Sequence, residues 1–233
     1  MESRFGQLAI EALFPRFCVA CKREGFLMCR TCLDQWTPVP PQVSCPFCGR
    51  LGSPRTCAQC REDRYLDGLT YFVPYGNALM RELMDHWKFH GDRSVEEVFV
   101  KSLRRAGARM QPPLAAYWVT WVPLHTSRLR ARGFDQARLV ADWASEIFGL
   151  SVERFVCRKE KTAPQSRRSH QDRRVGEMDN VFAILQNVDI PDSILLCDDV
   201  FTSGTTMDAV ARLLKEHGVK TVWGFTLAKG RSA

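Results

Sequence analysis

Eight of the ten cysteines in this chain fall into four C-x-x-C pairs: Cys18 and Cys21, Cys29 and Cys32, Cys45 and Cys48, Cys57 and Cys60. No other feature constrains the fold as much. Two thiolates three residues apart turn toward one ion, and two such pairs complete a tetrahedral site with metal–sulfur distances of about 2.3 Å. Closing neighbouring pairs assigns Cys18, Cys21, Cys29 and Cys32 to one zinc ion and Cys45, Cys48, Cys57 and Cys60 to a second. A crossed pairing satisfies the same spacing. Four thiolates leave no coordination position open for substrate, so both zinc ions are read as structural. Residues 1–64 carry too few large apolar side chains for a core of their own, and metal binding supplies the folding energy there. A thioredoxin-type redox pair would need a βαβ setting that this region lacks. Cys157 and Cys197 have no partner at ligand spacing and are expected to be small core residues.

Thiolates reserved for metal imply a reducing compartment. No stretch approaches the 18 or so apolar residues of a membrane span, and the opening residues lack a continuous apolar export segment, so a cytoplasmic location is expected. Those opening residues read instead as a short amphipathic helix, and residues 37–42, TPVPPQ, as a stiff connector between two ribbon repeats. After Tyr65 the texture changes. The segments 69–75, 117–124, 180–185, 193–197 and 221–228 read as strands, and 77–91, 94–109, 134–149 and 208–216 as helices. Leu79, Leu83 and Trp87 face inward on the first of these. Alternating β and α implies a largely parallel sheet with right-handed crossovers. A chain of 233 residues with 45% apolar content accommodates one such core and a small extra module. The expected division is a double zinc-ribbon module over 1–64 and an α/β domain over 65–233.

Residues 194–207, ILLCDDVFTSGTTM, carry the densest chemistry. The apolar run reads as a buried parallel strand, followed by Asp198 and Asp199 and then by five residues, Thr202 to Thr206, that are all hydroxyl-bearing or glycine. Backbone N–H groups of Ser203, Gly204, Thr205 and Thr206 converging at a helix N-terminus favour a phosphate. The two carboxylates repel that phosphate at contact distance. They are therefore placed one step away, accepting from a sugar diol or holding a divalent cation. Phosphate beside diol describes a ribose 5-phosphate. The chain contains neither the Walker loop nor the dinucleotide fingerprint.

This stretch resembles the phosphoribosyl pyrophosphate (PRPP) signature of type I phosphoribosyltransferases. Residues 122–141, VPLHTSRLRARGFDQARLVA, resemble the R-x-R-G-F-N-Q segment of the ComF/GntX family, bacterial proteins linked to competence and the use of external DNA. With the cysteine pairs, the resemblance spans nearly the whole chain. It implies an α/β, parallel-sheet type I phosphoribosyltransferase fold behind a small N-terminal double zinc-ribbon module. It also implies PRPP as ligand, Mg²⁺ bound with it, and pentosyl transfer by displacement at ribose C1. Asp198 and Asp199 would serve as the catalytic ribose-holding pair, and Thr202, Ser203, Gly204, Thr205 and Thr206 would form the phosphate loop. Pro123, Leu124 and His125, with Arg130, Arg132 and Gly133, would meet pyrophosphate. Lys161, Gln165 and Arg173 would belong to a basic loop that closes over the site. The chain departs from the family pattern at Asp135, where Asn is usual, and at Arg168, where Leu is usual.

Charge is local. Residues 154–174 carry eight Lys or Arg against two acids, and 127–138 carry four Arg against one Asp, so these two segments account for the formal net charge of +7. Basic loops next to ribbons that carry Phe26, Trp36 and Phe47 also suit single-stranded DNA. Three roles therefore follow: a phosphoribosyltransferase, a PRPP-binding regulator without turnover, or a single-strand-handling factor working with competence or DNA-processing proteins. His86 and His90, four apart on a helix without an intervening acid, read as ordinary helix residues.

Overall fold

A computed structural model describes residues 15–36, 43–107, 110, 112, 118–159 and 181–230. The expected opening helix, the 37–42 connector and the basic-loop residues Lys161, Gln165 and Arg173 lie outside these ranges.

The cysteine region is a structural repeat. In each copy a knuckle closes on itself: Lys22 N donates to Cys18 O and Cys18 N to Arg23 O, and in the second copy Gly49 N donates to Cys45 O and Cys45 N to Arg50 O. Both knuckles turn through a left-handed residue, Lys22 at φ 60° and Gly49 at φ 73°. Each copy ends in a short helix, α1 (Arg30–Gln35) or α2 (Ala58–Arg61), entered directly from a cysteine, Cys29 or Cys57.

The rest is α/β. In chain order it comprises β1 (Gly68–Pro74), α3 (Ala78–Phe89), α4 (Ser94–Ala106), β2 (Trp118–Trp121), α5 (Thr126–Arg132), α6 (Gln136–Phe148), β3 (Ser151–Val152), β4 (Val156–Arg158), β5 (Phe182–Ile184), β6 (Ser193–Phe201), α7 (Thr205–Glu216) and β7 (Thr221–Lys229). Five strands form one parallel sheet in the order β1-β7-β6-β2-β3. The central strands read as continuous apolar runs because both faces are covered: Ile194 to Cys197 and Val222 to Ala228 are buried. Strands β4 and β5 stand apart as a small antiparallel ribbon.

Three local expectations are corrected. Strand β6 does not stop at Cys197; its register with β7 continues through Asp198↔Thr226, Val200↔Ala228 and Phe201↔Lys229. Helix α7 starts at Thr205, not Asp208. Residues 126–132, expected as loop, form α5, which His125 caps and Gly133 ends at φ 78°.

The apolar packing runs across from the ribbons into the α/β body. Val19, Leu27, Met28 and Leu33 join Phe72, Met80, Leu83, Met84, Trp87 and Phe99 in one buried cluster. Trp36 meets Phe72 edge-on at 5.6 Å between ring centroids. Cys197 is fully buried, whereas Cys157 is half-buried.

Candidate functional site

Sheet topology selects the place before any side chain does. From β2 the chain moves outward to β3, while from the adjacent β6 it moves the opposite way to β7. Loops leaving two neighbouring parallel strands in opposite directions open a crevice at their C-terminal ends, where α/β sheets bind ligands. The two loops flanking this crevice are 122–125, after β2, and 202–204, after β6. Both stretches singled out in the sequence therefore lie side by side in the fold.

Asp198 and Asp199 are the last acidic residues of β6, with Asp199 N donating to Asp198 Oδ1 at 2.8 Å. They are not equivalent. Burial, and then the neighbouring Asp199 charge, push the Asp198 carboxyl well above the usual carboxylate range. Asp199 faces Lys88 of α3, with Nζ 2.6 Å from Oδ2 and only 17% and 16% of the two side chains exposed. Asp199 is thus already matched by an ammonium. Sequence reading missed Lys88. Its available signal was a lysine next to Trp87 on a helix whose Leu83, Met84 and Trp87 are all core.

After Phe201 the chain turns through exposed Thr202 and Ser203 into buried Gly204 and exposed Thr205. Gly204 is required twice. Its φ of 77° disfavours any side chain, and a Cβ there would lie 2.3 Å from Phe201 Cζ and 2.9 Å from Phe47 Cε1. Ser203 Oγ and Thr205 Oγ1 lie 2.9 Å apart, and Thr205 N donates to Ser203 Oγ at 3.4 Å. The resulting cup is small, a cavity of about 40 Å³ lined by Asp198 and residues 200–207. Larger concavities lie elsewhere, about 610 Å³ beside α1 and α4 and about 550 Å³ around His86 and Asp92. The small cup is nevertheless the candidate for an anion, because it lies at the N-terminus of α7, whose dipole favours negative charge.

The loop after β2 contributes buried Pro123 and half-buried Leu124 and His125. His125 Nδ1 accepts from Ser127 N at 3.1 Å, which commits that nitrogen to capping α5. Arg130 and Gly133 are exposed, while Arg132 is half-buried and donates to Gln136 Oε1 at 3.1 Å. Asp135 caps α6, accepting from Ala137 N and Arg138 N. Burial raises its carboxyl, with the amides of Arg138, Leu124 and Ala137 acting the other way. Gln136, 2% exposed, has no partner for Nε2 among the described residues.

The cysteines resolve the open pairing: Cys18, Cys21, Cys29 and Cys32 converge, as do Cys45, Cys48, Cys57 and Cys60, with each set of sulfurs within 4.8 Å of one another. A tetrahedron of metal–sulfur bonds of about 2.3 Å has sulfur–sulfur edges of about 3.8 Å. The Cys21–Cys29 and Cys48–Cys57 sulfurs are each 3.7 Å apart. The lead thiols are also prepared as anions. Burial acts to raise Cys18 and Cys45, yet amide donors together bring both down to about 6, whereas Cys32 and Cys60 are pushed up to about 12. Both sets therefore fit structural zinc. His86 and His90, with rings 5.3 Å apart, belong to no comparable cluster among the described residues. No described helix is long and apolar enough to cross a membrane.

Residues 137–233 match the phosphoribosyl transferase domain family. The chain is 27% identical to the competence protein ComFC of Streptococcus pneumoniae, with 89% of this chain and 90% of that protein covered. It is 28% identical to ComFC of Bacillus subtilis, with 87% and 84% covered, and 28% identical to competence protein F of Haemophilus influenzae, with 79% and 86% covered. Among solved structures, a hypoxanthine phosphoribosyltransferase from Staphylococcus aureus aligns at 16% identity and a TM-score of 0.34, over 57% of this chain and 64% of that one.

Proposed function

We propose, for a chain that belongs with the ComF competence proteins and carries a phosphoribosyl transferase domain, that the crevice between β2 and β6 binds PRPP. The 5-phosphate is received by the amides and hydroxyls of Ser203 to Thr206, where the N-terminal dipole of α7 favours an anion. The ribose diol is held by Asp198 and Asp199. One observation carries the reading: a carboxyl pair near the end of β6, one member of it matched by Lys88, stands one step from the small cup of residues 202–206. Such a pair suits a diol, whose two hydroxyls donate to the carboxylate oxygens.

The same electrostatics define how magnesium fits. Lys88 already occupies Asp199 and burial pushes the Asp198 carboxyl up, so the pair is no preformed cation cage. The residues fit Mg²⁺ brought in on pyrophosphate, where it supplies charge neutralisation to the leaving group. Arg132 and the loop at Pro123, Leu124 and His125 would meet that pyrophosphate from the β2 side, joined by Arg130 and Gly133 and by the basic segment with Lys161, Gln165 and Arg173. In a transfer step the C1–oxygen bond to pyrophosphate breaks and a bond from C1 to an incoming base or amine forms. Positive charge on the ribose ring is stabilised by the Asp199 carboxylate.

Isothermal titration with PRPP and Mg²⁺ tests the site. Replacing both Asp198 and Asp199 by Asn weakens binding by about 2 kcal/mol or more, because hydrogen bonds to charged groups contribute about 1.5–3 kcal/mol each. Unchanged affinity in that variant refutes the assignment. Pyrophosphate release with a panel of bases and amines then separates turnover from sensing.

A second reading rests on the first ribbon. Phe17 and Phe26 are 51% and 59% exposed, in a segment with Arg16, Arg23 and Arg30, an arrangement suited to stacking single-stranded bases along a phosphate track. Replacing both aromatics by Ala weakens binding of a single-stranded oligonucleotide and leaves PRPP affinity unchanged. Competition of that oligonucleotide by PRPP places the DNA in the phosphate cup instead.

A further inference from the structure

The two ribbons repeat each other closely, yet they differ between the knuckle cysteines. The first reads Cys18-Val-Ala-Cys21 and the second Cys45-Pro-Phe-Cys48. Ala20 is exposed, but its counterpart Phe47 reaches into the phosphate loop. Its ring meets Phe201 edge-on at 5.7 Å between centroids, and Gly204 passes so close that a Cβ there would come within 2.9 Å of Phe47 Cε1. Arg64 covers the same ring, 5.1 Å from its centroid, and reaches Asp208 Oδ2 at 3.8 Å in the first turn of α7. Asp208 Oδ1 in turn accepts from Tyr65 N at 2.7 Å and Leu66 N at 3.0 Å. The backbone of Phe47 is therefore held in the knuckle between Cys45 and Cys48, while its ring meets loop residues 201 and 204. The contact is specific to one cluster. The first cluster lies in the core shared with α3 and α4 and packs through Val19 and Leu33 instead.

We propose that Phe47 is a positioning residue that transmits the state of the second cysteine cluster to the phosphate loop, making the order of residues 202–206 dependent on metal at Cys45, Cys48, Cys57 and Cys60. A knuckle that loses its metal loses the geometry that sets the Phe47 ring, and Gly204, free of side-chain anchorage, loses one of the two walls that define its turn. By reciprocity, an ordered loop slows metal loss from this cluster and not from the other. The ligand consequence rests on the PRPP reading above; the coupling of cluster to loop does not.

Hydrogen exchange on the zinc-loaded full chain tests the coupling without ligand. Phe47→Ala, with two zinc ions verified, speeds amide exchange in residues 202–206 by about tenfold, a change on the scale of one edge-to-face ring contact, and leaves exchange in β7 and the first ribbon unchanged. Phe47→Leu restores part of the protection, and Phe26→Ala changes nothing in the loop. Cys48→Ser, with one zinc ion remaining, speeds the same amides, whereas Cys21→Ser does not. Unchanged loop exchange in Phe47→Ala with both metals bound overturns the proposal, as does equal sensitivity to both cysteine substitutions. A second arm titrates PRPP. If the wild-type chain binds none, the functional reading fails while the exchange result still decides this one. If it binds, Phe47→Ala raises the Kd by about the same tenfold.

Discussion

Replacing Lys88 by Met removes the ammonium while keeping most of the stem that packs along α3. Nζ lies 2.6 Å from Asp199 Oδ2. At an effective dielectric constant of about 20 the direct attraction at that distance is about 6 kcal/mol, and desolvation of both ions cancels a large part of it. The variant loses the attraction but retains the cost of enclosing Asp199. Deleting one partner of a fully buried pair costs about 3–5 kcal/mol; with about a sixth of each side chain exposed to the crevice, about 2–3 kcal/mol is expected. For a chain of this length each kcal/mol shifts the melting point by about 2–4 °C, so Lys88→Met melts roughly 4–12 °C lower without ligand. The assay is a urea and thermal double-mutant cycle with Asp199→Asn at fixed zinc content. The double variant recovers much of the loss, with a coupling energy of about 2 kcal/mol. A change under about 0.5 kcal/mol in Lys88→Met, or an additive cycle, shows that the pair does not hold in solution and refutes the Lys88–Asp199 pairing on which the ribose site rests.

Asp198→Asn has a pH signature. Because the folded carboxyl is raised, the native state keeps a proton that the unfolded chain releases from about pH 4 upward, so wild-type stability falls as pH rises between the unfolded and folded values. The Asn variant escapes that loss and gains on the wild type as pH rises, by urea midpoints from pH 4.5 to 8; a pH-independent difference contradicts a raised Asp198 carboxyl. Metal analysis gives two zinc ions per chain, and Cys21→Ser leaves one, because the clusters close sequentially. Loss of both ions from that substitution contradicts independent sites. Gly204→Ala combines a left-handed backbone cost of about 1–2 kcal/mol with overlap against Phe201. The urea midpoint should therefore fall by the equivalent of about 2–4 kcal/mol; a fall below about 1 kcal/mol means the loop relaxes freely.

Signals written in consecutive residues were legible, and signals created by distant contacts were not. Cysteine spacing, apolar β6 and β7, and the hydroxyl loop each announce themselves locally, because thiolate reach, strand burial and helix capping are short-range effects. The extent of β6 was misread at Asp198 and Asp199. Acids normally end a buried strand, and only pairing with Thr226 and Ala228 on β7 carries this one on to Phe201. Helix α5 was hidden because Thr126 to Arg132 has no buried residue and so no apolar stripe. The Lys88–Asp199 pair joins elements 111 positions apart, and the ring of Phe47 finds Phe201 across an even longer interval. No local pattern encodes either.

Strand β1 pairs with β7 alone among the described strands, Gly68 lying opposite Trp223. On the ribosome, therefore, the first strand of the sheet emerges long before its neighbour exists. The apolar faces of β1, α3 and α4 must wait through most of translation, a vulnerable interval for a sheet built from distant pairings. The cysteine clusters span only residues 18–32 and 45–60 and can close as soon as they emerge. Val19, Leu27, Met28 and Leu33 then offer a ready surface for α3 and α4 to lean on. Zinc bound early would in this way act as a temporary chaperone for the nascent half-sheet. Synthesis under zinc starvation should then yield aggregated chain even where the finished protein tolerates chelation.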